Sequence, residues 1–284
     1  MKLLAWDTSS KAGALVALEW DPSLKTGWEG VKLIGEWTLN VDMTHSERLL
    51  WGIHELLESA NWKVGDIDVF GVGVGPGSFT GLRIGVTTAR TLAHTLKKPL
   101  VRVSSLAALA RPPALWLANS KDVELRKTLV IATTDACKGE LFVLSGAARS
   151  VLDCVMMAEG DSGGIWKRGV DEEVLAPEEL MKKIKKKLAG AEAGDSQHWL
   201  AIGEGRHRYA EAWDDLPSKS ELKVPAVFAN QVQGRYLGLL AWEAVQAGLS
   251  VEGLAVHPRY LRASDAELKL KAGLLPPGPT RGKA

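Results

Sequence analysis

Apolar and polar positions alternate along the first 110 residues in blocks that change period. Residues 2–6 are an apolar run closed by Asp7; a polar turn over residues 8–13 follows, and residues 14–18 form a second run. That is the pattern of a β-hairpin with an acidic residue at the strand end. Residues 21–30 are polar and turn-rich, and residues 31–39 supply a third strand, so three antiparallel strands open the chain. Over residues 45–59 the period becomes helical, with Leu49, Leu50, Ile53, Leu56 and Leu57 on one face and Thr44 or Ser46 as cap. Residues 69–98 read as a buried strand, a glycine turn and a helix, and residues 100–103 as a short strand. A helix from Ser104 or Ser105 to Ala110 stops before Pro112 and Pro113. The predicted order is βββαβαβα.

The next stretch repeats this opening. Residues 129–133 are apolar, Asp135 closes them, residues 136–139 turn, and residues 141–144 run back, with residues 151–157 as the matching third strand. Two hairpins, each a strand, an aspartate and a turn, predict a duplicated α/β unit. The boundary falls between Ala110 and Lys127, giving lobes over 1–115 and 116–275 and a disordered tail over 276–284. Residues 161–220 are the least legible. Within them residues 177–188 form an amphipathic helix, and residues 200–202 form a strand that enters a turn at Gly203, Glu204 and Gly205. Residues 230–247 form a helix with Gly234, Gly238 and Ala241 as small positions.

The glycine turn carries the sharpest local signal. Gly71, Gly73 and Gly75 let a neighbour approach the strand closely, and Pro76 and Gly77 break it. Ser78 and Thr80 both suit the N-cap of the following helix, whose free amides would take an anion or a polar group. The spacing of Gly75, Gly77 and Gly81 is neither a dinucleotide fingerprint nor a P-loop. Two readings stay open, a phosphate cradle and a tight connection whose glycines serve packing. Gly81, Gly85, Ala89 and Ala93 recur every four residues as a ridge of small side chains. Such a ridge admits a close neighbour, either within the chain or on another protein. His45, at the entrance of the preceding helix, caps, packs or touches a ligand.

Composition narrows the chemistry. A chain of 284 residues, 46% hydrophobic and 24% charged, with net charge +1, is an ordinary globular protein without global affinity for nucleic acid. Cys137 and Cys154 have no metal-like spacing, which fits free thiols in a reducing cytoplasm. No apolar run reaches the ~20 residues of a membrane span. Of the 11 tryptophans, Trp6, Trp20, Trp28, Trp37, Trp51 and Trp62 fall in the first quarter, as packing residues or as a contact surface. The six histidines include no His-x-x-x-His pair, which argues against zinc catalysis, and Gly77-Ser78-Phe79 is not a serine-hydrolase elbow. Asp7 and Asp135, matched across the duplication, are either Mg²⁺ holders near a nucleotide or turn caps. Lys182, Lys183, Lys185, Lys186 and Lys187 are either an RNA-facing patch or a solvated helix face.

Four stretches together resemble a known family: Asp7-Thr8-Ser9; His45-Ser46-Glu47-Arg48-Leu49-Leu50; Gly75-Pro76-Gly77-Ser78-Phe79-Thr80-Gly81-Leu82-Arg83-Ile84-Gly85; and Val103-Ser104-Ser105-Leu106. They look like the TsaB (YeaZ) family of bacterial tRNA threonylcarbamoyladenosine biosynthesis proteins, and Pro258-Arg259-Tyr260-Leu261-Arg262 echoes that family's Pro-x-Tyr-Leu-Arg. The resemblance implies an actin/Hsp70-like (ASKHA) fold of two βββαβαβα lobes. It implies a non-catalytic subunit that partners the TsaD transferase and, with the ATPase TsaE, modifies the adenosine beside the anticodon of tRNA. Contact with the TsaD-like paralogue is expected through the helices over 45–59 and 81–96, at His45, Leu49, Ile53, Gly81, Gly85, Ala89 and Ala93. The glycine turn, as Gly75, Gly77, Ser78, Thr80 and Arg83, sets the second helix in place, and Asp7, Thr8 and Asp135 are the nucleotide-proximal positions. No cofactor is expected on this subunit alone; ATP and a metal ion belong to the partner subunits. A homodimer is expected when the partner is missing. The sequence departs from the family at Cys137, where an arginine is usual, at Trp6, in the loop over 21–30 and across 161–220. A free-standing nucleotide-dependent phosphotransferase or metallopeptidase of the same superfamily is the rival reading.

Overall fold

The computed structural model describes residues 1–23, 28–40, 45–153, 170–189, 198–223 and 230–263. Strands β1 (Lys2–Asp7), β2 (Ala12–Trp20) and β3 (Val31–Asn40) form the antiparallel opening. Helix α1 (His45–Ser59) leads to β4 (Val69–Gly75), helix α2 (Phe79–Leu96), β5 (Leu100–Ser104) and α3 (Ser105–Ala118). The sheet order is β3-β2-β1-β4-β5, with β4 parallel to both β1 and β5. Every residue of β4 is buried, as the continuous Val/Phe/Gly run requires of a central parallel strand.

After the short helix α4 (Val123–Arg126), the second lobe repeats the plan. Strands β6 (Leu129–Cys137) and β7 (Glu140–Ala147), helix α5 (Ala148–Leu152), strand β8 (Val170–Leu175), helix α6 (Pro177–Ala189), strand β9 (Trp199–Ile202) and helix α7 (Glu204–Arg208) build a sheet ordered β8-β7-β6-β9. Its first three strands are antiparallel and its last is parallel to β6, as in the first lobe. This is the duplicated α/β plan expected from the sequence, with one strand fewer in the second sheet. Helix α8 (Gly234–Gln246) then returns to the first sheet. There a methyl added at Gly234 would stand 2.6 Å from the Leu15 carbonyl oxygen, and one at Gly238 would stand 2.8 Å from Leu18. The small face of α8 is what lets it lie directly on β2.

Three sequence expectations change. Residues 151 and 152 end helix α5 rather than starting a strand, and 154–157 lie outside the described residues. The third strand of the second sheet is β8, whose Asp171, Glu172 and Glu173 hide it from a hydrophobicity scan. Helix α3 does not stop at residue 110 but runs through Pro112 and Pro113. Each interior proline costs about 3 kcal/mol. Burial of Leu106, Leu109 and Leu117, at about 1.5–3 kcal/mol apiece, is of the same order. All of α3 except Leu115 and Trp116 is buried, and its apolar residues belong to one core shared with β5, β6 and α8. Leu50, predicted on the inner face of α1, is 57% exposed.

A second core lies on the opposite face of the first sheet, where Leu49, Ile53, Leu56 and Leu57 of α1 and Val86, Ala89 and Ala93 of α2 cover Leu4, Trp6, Phe70 and Val72. Helices α1 and α2 thus lie side by side as the outer layer of the first lobe. Among the described residues no helix is long and apolar enough to cross a membrane.

Candidate functional site

The glycine turn is filled by the chain itself. Strand β4 ends at Gly75, whose φ of 107° only glycine adopts freely, and a cis peptide joins it to Pro76. The Ser78 N–H donates to the Ser9 carbonyl at 2.6 Å, and the Ser78 hydroxyl caps α2 by accepting from the Gly81 N–H at 3.3 Å. A methyl added at Gly77 would sit 2.3 Å from the Ser9 carbonyl oxygen, so this glycine exists for backbone to meet backbone. The Gly75 N–H donates to the Ser105 hydroxyl at 3.2 Å. Of the two readings of this turn, the geometry favours tight packing.

Asp7 is the acceptor that gathers these pieces. Its side chain is fully buried. One oxygen accepts from the Ser9 N–H at 2.9 Å and the Ser9 hydroxyl at 2.6 Å, and the other accepts from the Ser105 hydroxyl at 2.5 Å. Burial of a carboxylate without such partners costs several kcal/mol. Gly73 is obligatory opposite it, because a methyl there would fall 1.8 Å from Asp7 Oδ2. Asp135 has a separate set of partners in the second lobe. It accepts from the Cys137 N–H at 3.0 Å and the Tyr209 hydroxyl at 3.3 Å, and it pairs with Arg208 at 3.1 Å. Burial, and then the Asp135 charge, push the Tyr209 hydroxyl above its ordinary pKa. Asp7 and Asp135 share no partner, and no group of three or more His, Cys, Asp or Glu among the described residues is arranged to hold a metal ion.

The small ridge of α2 faces inward. The Thr8 hydroxyl donates to the Gly81 carbonyl at 2.7 Å, and the Trp6 indole N–H donates to the Gly85 carbonyl at 3.0 Å. A methyl added at Gly85 would stand 2.2 Å from Thr8 Oγ1. Ala89 and Ala93 are buried in the core, with Ala93 against Gly253. Leu49 and Ile53 of α1 are buried as well. The backbone of His45 opens α1, and its side chain lies outside those described. The same two helices expose other residues: Leu50 at 57% and Trp51 at 53% on α1, and Thr80, Arg83, Thr87, Thr91, His94 and Thr95 on α2. Trp51 stands against Trp37 of β3, ring centroids 4.9 Å apart.

A strap from the C-terminal part ties this region to the second lobe, a role the sequence did not indicate. The Arg259 N–H donates to the Val74 carbonyl at 2.8 Å, and the Tyr260 ring lies 4.7 Å from that of Phe79. Arg83 stands 3.9 Å above the Phe79 ring and donates to the Tyr260 hydroxyl at 3.2 Å. On the other side, the Arg259 guanidinium pairs with the fully buried Glu172 side chain of β8, which also accepts from the Ser104 hydroxyl at 2.8 Å. Arg262 donates to the Ala136 carbonyl at 2.8 Å and pairs with Glu140 at 2.8 Å. Residues 258–262 therefore bolt the first turn of α2 to the β6–β7 hairpin and to β8. In the lysine run of α6, Lys183, Lys185 and Lys187 pair with Glu173, Asp215 and Asp171, as on a solvated helix face.

Comparison with known proteins places these features in a family. Residues 40–269 match the family model described as TsaD, tRNA N6-adenosine threonylcarbamoyltransferase. The chain is 29% identical over 270 residues to the tRNA threonylcarbamoyladenosine biosynthesis protein TsaB of Escherichia coli, covering 95% of this chain and 98% of that one. It is 25% identical over 265 residues to the protein of the same name from Haemophilus influenzae, covering 92% and 94%. Among solved structures it resembles YeaZ from Pseudomonas aeruginosa with a TM-score of 0.64 and 25% identity, over 92% of this chain and 99% of that one. The chain belongs to the family described as TsaD, tRNA N6-adenosine threonylcarbamoyltransferase, and within it to the TsaB (YeaZ) group.

Proposed function

We propose that this chain is a non-catalytic subunit in tRNA threonylcarbamoyladenosine biosynthesis, docking a TsaD-like catalytic paralogue through the outward faces of α1 and α2. The observation that carries this reading is the exposed pair Leu50 and Trp51 on a helix whose inner face is already filled by its own core. Two adjacent large apolar side chains, each more than half exposed, suit the anchor of a protein interface. Support for a non-catalytic role comes from Asp7 and the glycine turn, whose hydrogen-bonding groups are taken by Ser9, Ser78 and Ser105. ATP and a metal ion then act on the paralogue and on a TsaE-like ATPase, tRNA is met through the complex, and the site of action is the cytoplasm.

Reconstitution tests this. The chain, the TsaD-like paralogue and the TsaE-like ATPase of the same organism are combined with ATP, an activated threonylcarbamoyl donor and tRNA, and the nucleosides are analysed by mass. Modified adenosine is expected only when this chain and the paralogue are both present. Full activity without this chain, or modification by this chain alone, would overturn the proposal.

A further inference from the structure

The two lobes meet through two kinds of contact. Helix α3 supplies the apolar one: its Leu106, Leu109 and Leu117 share a core with Val101 and Val103 of the first lobe and with Val130, Ala132 and Leu144 of the second. Packing of this kind is non-directional, and packed layers can slide past one another by small amounts. The strap over residues 258–262 supplies the polar one. It leaves the first lobe near Gly253, where an added methyl would stand 2.9 Å from Ala93 of α2, and residues 256–260 form neither helix nor strand. Arg259 is held from both lobes. Its N–H donates to the Val74 carbonyl at the end of β4 at 2.8 Å, and its guanidinium pairs with Glu172 of β8. The Glu172 side chain is fully buried and also accepts from the Ser104 hydroxyl at 2.8 Å, so one carboxylate joins β5, β8 and the strap. Three residues on, Arg262 reaches the β6–β7 hairpin, donating to the Ala136 carbonyl at 2.8 Å and pairing with Glu140 at 2.8 Å.

We infer that the strap is a latch: it fixes the angle between the lobes, and its release lets them turn about the α3 core while each lobe stays folded. Hydrogen bonds and ion pairs are directional, so the contacts of Arg259 and Arg262 fit one lobe angle, whereas the α3 core tolerates several. The latch is also two-state. Glu172 cannot stay buried once Arg259 leaves, because an unpaired buried carboxylate is strongly disfavoured, so release requires the gap between β5 and β8 to open and admit water. The strap itself has little to keep it closed besides these pairs. His257 and Tyr260 are exposed and Leu261 is half-buried, and segments with few buried apolar contacts are the ones that open locally. The latch is a property of the chain alone and does not rest on the docking role proposed above.

The test measures the lobe-to-lobe distance in the full chain. Cys137 and Cys154 are replaced by serine, and spin labels are placed at Lys32→Cys on β3 and Lys186→Cys on α6, both exposed positions, with labelled chain diluted into unlabelled so that only intramolecular pairs are read. With the natural strap one narrow distance distribution is expected. Tyr260→Ala/Arg262→Ala is expected to shift its mean, or to add a second population, by at least about 2 Å. Arg262→Ala alone is the milder variant, read by hydrogen exchange. The Arg259 amide, which is bonded to the first lobe, is expected to exchange at least about tenfold faster when only this second-lobe anchor is lost, the effect of about one charge-assisted hydrogen bond. Amides of β1 and β6 are expected to keep their protection in both variants. An unchanged distance distribution in the folded double variant overturns the inference, and the strap is then local packing. Loss of protection in β1 and β6 in both variants overturns it as well, because the strap is then part of what folds the lobes.

Discussion

Replacement of Gly85 by alanine separates the two uses a small residue on α2 can have. In an exposed helix the change stabilises by about 1 kcal/mol, because glycine loses more backbone freedom on folding. Here the new methyl would stand 2.2 Å from Thr8 Oγ1, in a fully packed interior. Relief requires a shift of the Thr8 side chain, which loses its 2.7 Å bond to Gly81, or of α2, which strains the Trp6 bond to Gly85. Overpacking costs about 1–3 kcal/mol. A lost hydrogen bond adds about 1 kcal/mol. With the propensity gain set against them, Gly85→Ala is expected to destabilise by about 1–3 kcal/mol. Thr8→Ala removes the obstructing oxygen, so the double variant is expected to lie at least about 1 kcal/mol above the sum of the singles, as contacting residues do. Urea unfolding followed by tryptophan fluorescence reads this, with Trp6 itself at the affected contact. A Gly85→Ala protein as stable as wild type, or strictly additive effects, would refute the inward assignment of the ridge.

Much of the first lobe was legible because its signals are local. The bounds of α1, the cap at Ser78 and the strand-turn-helix at Gly75 follow from periodicity and turn chemistry, and the sheet's opening hairpins follow from alternation. What pattern does not record is which side of a helix meets which neighbour. The ridge at Gly81 and Gly85 admits a close partner, and only the fold shows that partner to be Thr8 of the same chain. Helix α3 and strand β8 were misread for a related reason. Pro112 and Pro113 oppose a helix locally, and Asp171 to Glu173 oppose a strand locally; both are overridden by tertiary contacts, a shared core for α3 and the Arg259 and Ser104 partners for Glu172. The strap at 258–262 was visible as a motif, but its purpose depends on residues remote in sequence.

Three further outcomes are expected. Gly77→Ala meets backbone rather than a movable side chain, 2.3 Å from the Ser9 carbonyl, so it is expected to cost at least about 2 kcal/mol and to lower the yield of soluble protein. Glu172→Ala strips the partner from a buried guanidinium and is expected to lower stability by about 3–5 kcal/mol, with Glu172→Met/Arg259→Met recovering part of the loss in the same urea assay. Lys183→Ala breaks only an exposed pair, whereas Lys187→Ala also removes a 3.2 Å hydrogen bond to the Ser145 hydroxyl, so a change within about 1 kcal/mol is expected for Lys183→Ala, and any larger shift of its urea midpoint would contradict the solvated-face reading of α6.

The docking role stands or falls on the outward face of α1. The decisive measurement is the affinity of the Leu50→Asp/Trp51→Asp variant for the TsaD-like paralogue by calorimetry, alongside its urea midpoint. Both side chains are more than half exposed, so the cost to folding is limited to the Trp37–Trp51 ring contact and helix propensity, about 1–2 kcal/mol, and the variant is expected to remain folded. Truncation of interface anchors costs about 2 kcal/mol or more, so affinity is expected to fall at least about thirtyfold. A stably folded variant that binds the paralogue as tightly as wild type would contradict docking through this face.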